Sequence, residues 1–132
     1  TSGQRKILAL LPNAYLQGHC AGVNMAGGEE VFGNAAPFNS IGFFGTHVLT
    51  AGSYSGERYV EKGDNTYKVL FTADGVLKGF ILVNLPERAG IYTSLVRGRT
   101  PLAEVDLSLL ERAPELMAFS AGARREKLAR EV

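Results

Sequence analysis

The sequence is poor in the residues that usually carry chemistry. It has one cysteine (Cys20) and two histidines in 132 residues, with a net charge of +1. A single cysteine excludes an internal disulfide and a CxxC redox pair, and it fits a reducing cytoplasm. The near-neutral balance gives no electrostatic reason to expect nucleic acid or an anionic membrane surface as partner. No apolar run approaches the roughly 20 residues of a membrane span, and no stretch has the layout of a secretory signal. The expectation is a cytoplasmic protein with neither nucleic acid nor membrane as partner. Catalytic patterns are missing as well: there is no GxSxG, no P-loop and no GxGxxG. His19 and Cys20 are adjacent on a helical pattern and point in different directions, so a shared metal is not expected. His47 lies in a strand candidate and reads as structural, and a hydrolase built on it alone is set aside. No catalytic residue and no metal ligand is assigned, and the chain by itself does not read as a complete enzyme.

What is present is a normal core-forming composition, 45% hydrophobic and 20% charged, enough for one domain or a small domain plus a piece of another. Glycine is frequent, with 16 in all. Gly18, Gly22, Gly27, Gly28 and Gly33 fall in or just after a helical pattern, where each interior glycine costs about 1 kcal/mol against alanine. Close approach of a sheet or a cofactor to this backbone is the expected reason. The polar start Thr1–Lys6 has no initiator methionine and reads as a cut end of a longer chain.

Pro12 suits the first turn of a helix, where its missing N–H costs nothing, and the helix is expected over residues 12–27, ended by Gly27-Gly28. Leu11, Ala14, Tyr15, Gly18, Gly22, Met25 and Ala26 follow one stripe, and Leu16, Cys20, Val23 and Gly27 a second, so the helix is expected to be buried on most sides. Glu29–Asn39 reads as a loop. Ser40–Thr50 is a single strand candidate weakened by Gly42 and Gly45, Ala51–Glu57 a loop and Arg58–Lys62 a short strand.

Thr66–Val83 reads as a β-hairpin. A three-residue Ala73-Asp74-Gly75 loop sets Thr72 opposite Val76 and places Tyr67, Val69, Phe71, Leu77, Gly79, Ile81 and Val83 on one face, with Lys68 and Lys78 on the other. A helix follows from Pro86 to about Arg97, its buried face carrying Ala89, Tyr92, Thr93 and Val96 and its end set by Gly98. Pro101–Ala113 holds a short helix with Leu102, Val105 and Leu109, Pro114–Phe119 an apolar turn, and Ala123–Val132 a charged terminal helix. The order of elements gives an α+β fold, an antiparallel sheet of three or four strands with helices on one face, preceded by a helix set apart by a glycine-rich loop.

Within Leu11–Asn34 the pattern P-x-A-x-x-Q-G-x-x-A-G-x-N-M-x-G runs through Pro12, Ala14, Gln17, Gly18, Ala21, Gly22, Asn24, Met25 and Gly27. This resembles the helix that ends the FAD domain in FAD-dependent pyridine nucleotide-disulfide oxidoreductases, in the branch with NADH oxidases, NADH–rubredoxin reductases and nitrite-reductase reductase modules. The remainder, through Arg88–Leu102, is similar to the C-terminal interface domain of that branch, though only in its order of elements. The resemblance implies that residues 1–33 end an FAD domain and 34–132 form a C-terminal interface or dimerisation domain. It implies FAD and NAD(P)H in a parent oxidoreductase whose two cofactor domains precede Thr1, a homodimer as one possible assembly, and no cofactor bound to this piece alone. Pro12, Asn13, Ala14 and Gln17 are the implied cofactor-facing residues, with the N–H groups of Asn13 and Ala14 as donors toward the flavin.

No HxxxxE pattern follows His47, so the base dyad of the dithiol reductases is not expected. Without its neighbours the piece is expected to be inactive and to self-associate through Leu16, Cys20 and Val23. The alternative is an autonomous α+β interaction module without catalysis.

Overall fold

The computed structural model describes residues 10–33, 35, 38–86, 88–112, 119, 120, 122, 125 and 129. The chain forms two compact units, Thr1–Pro37 and Phe38–Val132. The first contains α1 (Leu11–Met25).

The second unit is α+β. Its strands are β1 (Phe38–Phe43), β2 (Thr46–Gly52), β3 (Glu57–Lys62), β4 (Tyr67–Ala73) and β5 (Val76–Val83). They form one antiparallel sheet in the order β1-β2-β5-β4-β3. The helices α2 (Ala89–Gly98) and α3 (Leu107–Arg112) follow, with a single 3-10 turn, Leu102–Glu104, between them.

The expected single strand Ser40–Thr50 is a hairpin. Phe44 and Gly45 both take left-handed conformations, φ 45° and 76°, and reverse the chain between β1 and β2. Two positive φ values in a two-residue turn match the right-handed twist of the strands. Phenylalanine rarely adopts the first of them, so Phe44-Gly45 does not carry the usual Asn-Gly signature of such a turn.

The β4–β5 hairpin differs from expectation at its tip. Asp74 (φ 52°) and Gly75 (φ 70°) make a two-residue turn that pairs Ala73 with Val76 and Thr72 with Leu77. The register then shifts, and Phe71 pairs with Gly79 and Leu70 with Phe80. The extra residue in β5 moves Leu77 onto the face of Leu70, Phe80 and Leu82, while Tyr67, Val69, Phe71, Gly79, Ile81 and Val83 keep their common face. Across the turn Lys78 pairs with Asp74 at 2.8 Å.

The core lies on the Lys68 face. Leu49, Ala51, Leu70, Leu77, Phe80 and Leu82 from the sheet meet Ala89, Tyr92, Leu95, Leu110 and Phe119. Phe80 and Tyr92 have ring centroids 5.5 Å apart. On α2 the fully buried positions are Ala89, Tyr92 and Leu95, with Thr93 and Val96 half-buried. This helix starts at Ala89, three residues after Pro86, and its left-handed cap is Arg99 (φ 47°), one residue beyond the expected Gly98. On the other face Val69 and Phe71 are also buried, and Tyr54 lies against Phe71 at 5.4 Å. The sheet is therefore apolar on both sides.

Glycine is required where β2 leaves β5. A Cβ at Gly79 would come within 2.6 Å of the Ala51 carbonyl oxygen and 2.8 Å of the Ser53 nitrogen, so no side chain fits there. The expected apolar turn at Pro114–Phe119 and the charged terminal helix lie largely outside the described residues. Phe119, which is described, is buried and bridged to Val105.

Candidate functional site

Helix α1 starts at Leu11, where Leu10 is extended (φ −124°, ψ 133°) and Pro12 occupies the first turn. Its first internal hydrogen bond runs from the Ala14 N–H to the Leu10 carbonyl, 2.9 Å. The Ala14 N–H is thus used inside the helix, which corrects the expectation that it faces a ligand as a donor. The N–H groups that precede this bond sit at the positive end of the helix dipole. No acidic residue lies in the first turn to cancel that charge.

The far end closes with two backbone bonds back to carbonyls of the last turn. The Gly27 N–H reaches Asn24 O at 3.1 Å and the Gly28 N–H reaches Val23 O at 2.9 Å. Gly27 adopts φ 93°, the left-handed cap that glycine accepts without a Cβ penalty.

The four residues singled out by resemblance divide. Pro12, Ala14 and Gln17 are exposed, whereas Asn13 is 3% exposed and engaged in interactions within the chain. The two apolar stripes divide as well, opposite to expectation. Cys20 is buried and Val23 half-buried, with Leu16 at 40%. The stripe of Leu11, Ala14, Tyr15, Gly18, Gly22 and Met25 is exposed along its whole length, with Leu11 at 84%, Tyr15 at 73% and Met25 at 89%. A Cβ added at Gly18 or Gly22 would meet nothing within 4 Å. The close approach expected at these glycines is thus not made by the described residues, and the uncovered face is the glycine-bearing one rather than that of Leu16, Cys20 and Val23.

The buried side is held by a clasp that the spacing alone does not reveal. The side chain of Asn24 pairs with the backbone of Glu30 in both directions, accepting from its N–H at 2.6 Å and donating to its carbonyl at 2.9 Å. The same carbonyl accepts from the Cys20 thiol at 3.2 Å. The chain leaving α1 is so folded back along the helix, and His19 meets the Glu30 carboxylate at 3.4 Å on the exposed side. Cys20 is therefore a buried structural donor.

In the second unit His47 is a fixed part of the sheet. Its ring shares a hydrogen bond with Ser40 Oγ at 3.0 Å, its N–H donates to Asn84 Oδ1 at 2.8 Å, and its carbonyl accepts from the Asn84 N–H at 2.8 Å. Among the described residues no group of three histidine, cysteine or acidic side chains could hold a metal. No helix among them is long and apolar enough to cross a membrane.

Sequence reading missed a polar cluster below α3. Lys68, 4% exposed, pairs with Glu61, donates to the last carbonyl of α3 (Arg112 O, 3.3 Å) and lies 5.9 Å from the Tyr59 ring centroid. Burial, with Glu61 and Glu111 adding to it, pushes the Tyr59 hydroxyl above its ordinary pKa. Burial likewise raises Tyr92, whose hydroxyl donates to Leu110 O at 2.8 Å. The sequence signal was a lysine inside an apolar strand, and the cluster fixes a helix end.

No family model matches the sequence, so the flavoprotein resemblance rests on the residues of α1 and on the order of elements. The chain is similar to the NADH-dependent phenylglyoxylate dehydrogenase subunit epsilon of Aromatoleum evansii, 37% identical over 110 residues, a match that covers 76% of this chain and 26% of that protein. The chain thus spans about a quarter of the length of the curated relative it matches.

Proposed function

We propose that the chain is the C-terminal part of an NAD(P)H-dependent FAD oxidoreductase. In this reading α1 ends the FAD domain with its N-terminus toward the flavin, and the sheet unit is an interface domain. The observation that carries it is α1 itself. The helix bears the full motif from Pro12 to Gly27, and its glycine-bearing face is exposed from Leu11 to Met25. A surface helix with one side apolar, smooth and open is suited to lie against a further domain. The relative's name, an NADH-dependent dehydrogenase subunit, supports the same redox class and suggests that further subunits are partners.

The residues at the start of α1 fit a flavin in part. Pro12, Ala14 and Gln17 are accessible, and the unopposed helix dipole favours negative charge at this end. Asn13 is turned into the protein and is better read as an anchor of the first turn. When bound, FAD would supply hydride acceptance from NAD(P)H and onward transfer of electrons. The chain's own contribution is narrower. Ala14 keeps the approach short, Gln17 offers a side-chain amide one turn further on, and the helix end steadies negative charge on whatever lies before it.

The test is an Ala14→Asp substitution in the full-length protein. A carboxylate in the first turn opposes negative charge at this end, so the flavin midpoint potential is expected to fall. An unchanged potential would remove α1 from the flavin. A full-length protein that is colourless would instead favour an autonomous interaction module, a role for which the sheet unit already has its own core.

A further inference from the structure

The tip of the β4–β5 hairpin holds a reactive pair of residues. Asp74-Gly75 is the only place in the chain where an aspartate or asparagine precedes glycine. A carboxyl group one methylene from the backbone can be attacked by the nitrogen of the next residue, and glycine there has no side chain to block the approach. The other aspartates lack this opening, since Asp64 is followed by Asn65 and Asp106 by Leu107. Asp74 is also open to solvent, its side chain 82% exposed.

The turn geometry favours the same reaction. Asp74 is the first central residue of the two-residue turn and has φ 52°. Closing a ring between its side chain and the Gly75 nitrogen fixes its ψ at roughly −120°, and a positive φ with that ψ describes the first central residue of a type II′ turn. Type II′ is itself a hairpin turn, so the ring form needs a flip of the Asp74–Gly75 peptide and leaves the strands paired. Gly75, at φ 70°, accepts such a flip because it takes either sign of φ.

We propose that Asp74 is a site of spontaneous isomerisation to isoaspartate, and that Lys78 restrains it. The proposal does not depend on the flavoprotein reading. The Gly75 nitrogen bonds to the Asp74 side-chain carbonyl carbon and one water leaves, giving a succinimide. Water then adds back at either carbonyl. Breaking the new bond restores aspartate, whereas breaking the bond from the Gly75 nitrogen to the Asp74 main-chain carbonyl leaves isoaspartate, with the chain running through the side chain. The mass is unchanged and water is the only other reactant.

The neutral acid is the form that reacts, because an ionised carboxylate is a poor electrophile. Lys78 Nζ lies 2.8 Å from the Asp74 carboxylate. The hydrogen bond from Lys78, and then its charge, hold the Asp74 carboxyl below its ordinary pKa, so the reactive form is scarcer. The product would carry an additional carbon in the main chain of a two-residue turn. The Gly75 carbonyl accepts from the Leu102 N–H at 2.8 Å, and Val76 is bridged to Pro101. The segment after α2 is therefore expected to loosen with the turn.

Incubating the full chain in warm, mildly acidic buffer tests this, with circular dichroism confirming that each variant folds. Peptide mapping separates the two forms of equal mass, and methylation by protein isoaspartyl methyltransferase counts the product. Conversion is expected at Asp74 and at neither Asp64 nor Asp106, and exchange of the Leu102 amide should quicken as it accumulates. Lys78→Ala should raise the rate about threefold, the size expected for losing an exposed ion pair. Added salt, which screens such a pair, should raise the wild-type rate in the same direction. Asp74→Glu, whose longer side chain would close a larger ring, should show no conversion at this position. No isoaspartate at Asp74, or as much at Asp64 as at Asp74, overturns the site. A folded Lys78→Ala variant that converts no faster than wild type overturns the restraint.

Discussion

Replacing Asn24 by alanine should loosen the turn after α1 by an amount that the clasp geometry sets. The side chain makes two hydrogen bonds to the Glu30 backbone, at 2.6 and 2.9 Å. A typical net contribution is about 0.5–1.5 kcal/mol per bond, and these are solvent-accessible, which places them at the low end. The Glu30 carbonyl would still accept from the Cys20 thiol, so it is not orphaned. The expected loss is therefore about 1 kcal/mol, roughly a fivefold faster opening of this segment. Native-state hydrogen exchange of the Glu30 amide reads it directly, because that N–H is the donor to Asn24 Oδ1. Asn24→Asp keeps the acceptor but loses the amide donor and should fall between wild type and alanine. A Cys20→Ala, Asn24→Ala double substitution should cost more than the sum, since both side chains serve one carbonyl. Unchanged exchange at Glu30 in Asn24→Ala would refute the clasp.

Two further outcomes follow from the second unit. Tyr92→Phe removes the only hydroxyl bonded to the Leu110 carbonyl among the described contacts, at 2.8 Å in a fully buried position. A loss of about 1–3 kcal/mol is expected in urea unfolding, and a variant as stable as wild type would contradict the helix-end role. Asp106 caps α3 by accepting from the Leu109 N–H at 3.0 Å and the Ser108 hydroxyl at 2.8 Å. The Leu109 bond, followed by the Ser108 bond, holds its carboxyl below the ordinary pKa. A depressed folded value means that the contribution is present above the unfolded pKa, about 3.9, and is lost as pH falls through the folded one. The stability gap between wild type and Asp106→Ala should hold at neutral pH and close in strong acid. A gap independent of pH would show that the charged form is not what caps the helix.

The elements themselves were legible where punctuation was strong. Pro12 and Gly27-Gly28 bracket α1, and the observed helix, Leu11–Met25, differs by a residue or two at each end. Which side of that helix is covered was not legible. Both stripes are apolar, and periodicity reports amphipathic order without saying which face meets a neighbour. The β1–β2 hairpin was hidden because Phe44 takes a conformation that its side chain disfavours. In the β4–β5 hairpin the faces were read correctly except at Leu77, where one extra residue inverts the side. Lys68 misdirected the reading of the core, since a lysine normally marks the solvent face. Here Glu61 and the end of α3 compensate its charge inside the core layer. The helix that carries the motif was legible, whereas the burial of Asn13 and the use of the Ala14 N–H depend on how the first turn closes.

The central claim is that this chain ends a flavin oxidoreductase, and one measurement addresses it most directly. The native protein, captured from its source with an antibody to this chain, is weighed and its visible spectrum taken before and after NADH is added. The account predicts a yellow species larger than this chain by roughly 300 residues, two domains' worth, whose flavin absorbance bleaches with NADH. A colourless species no larger than this chain would contradict it.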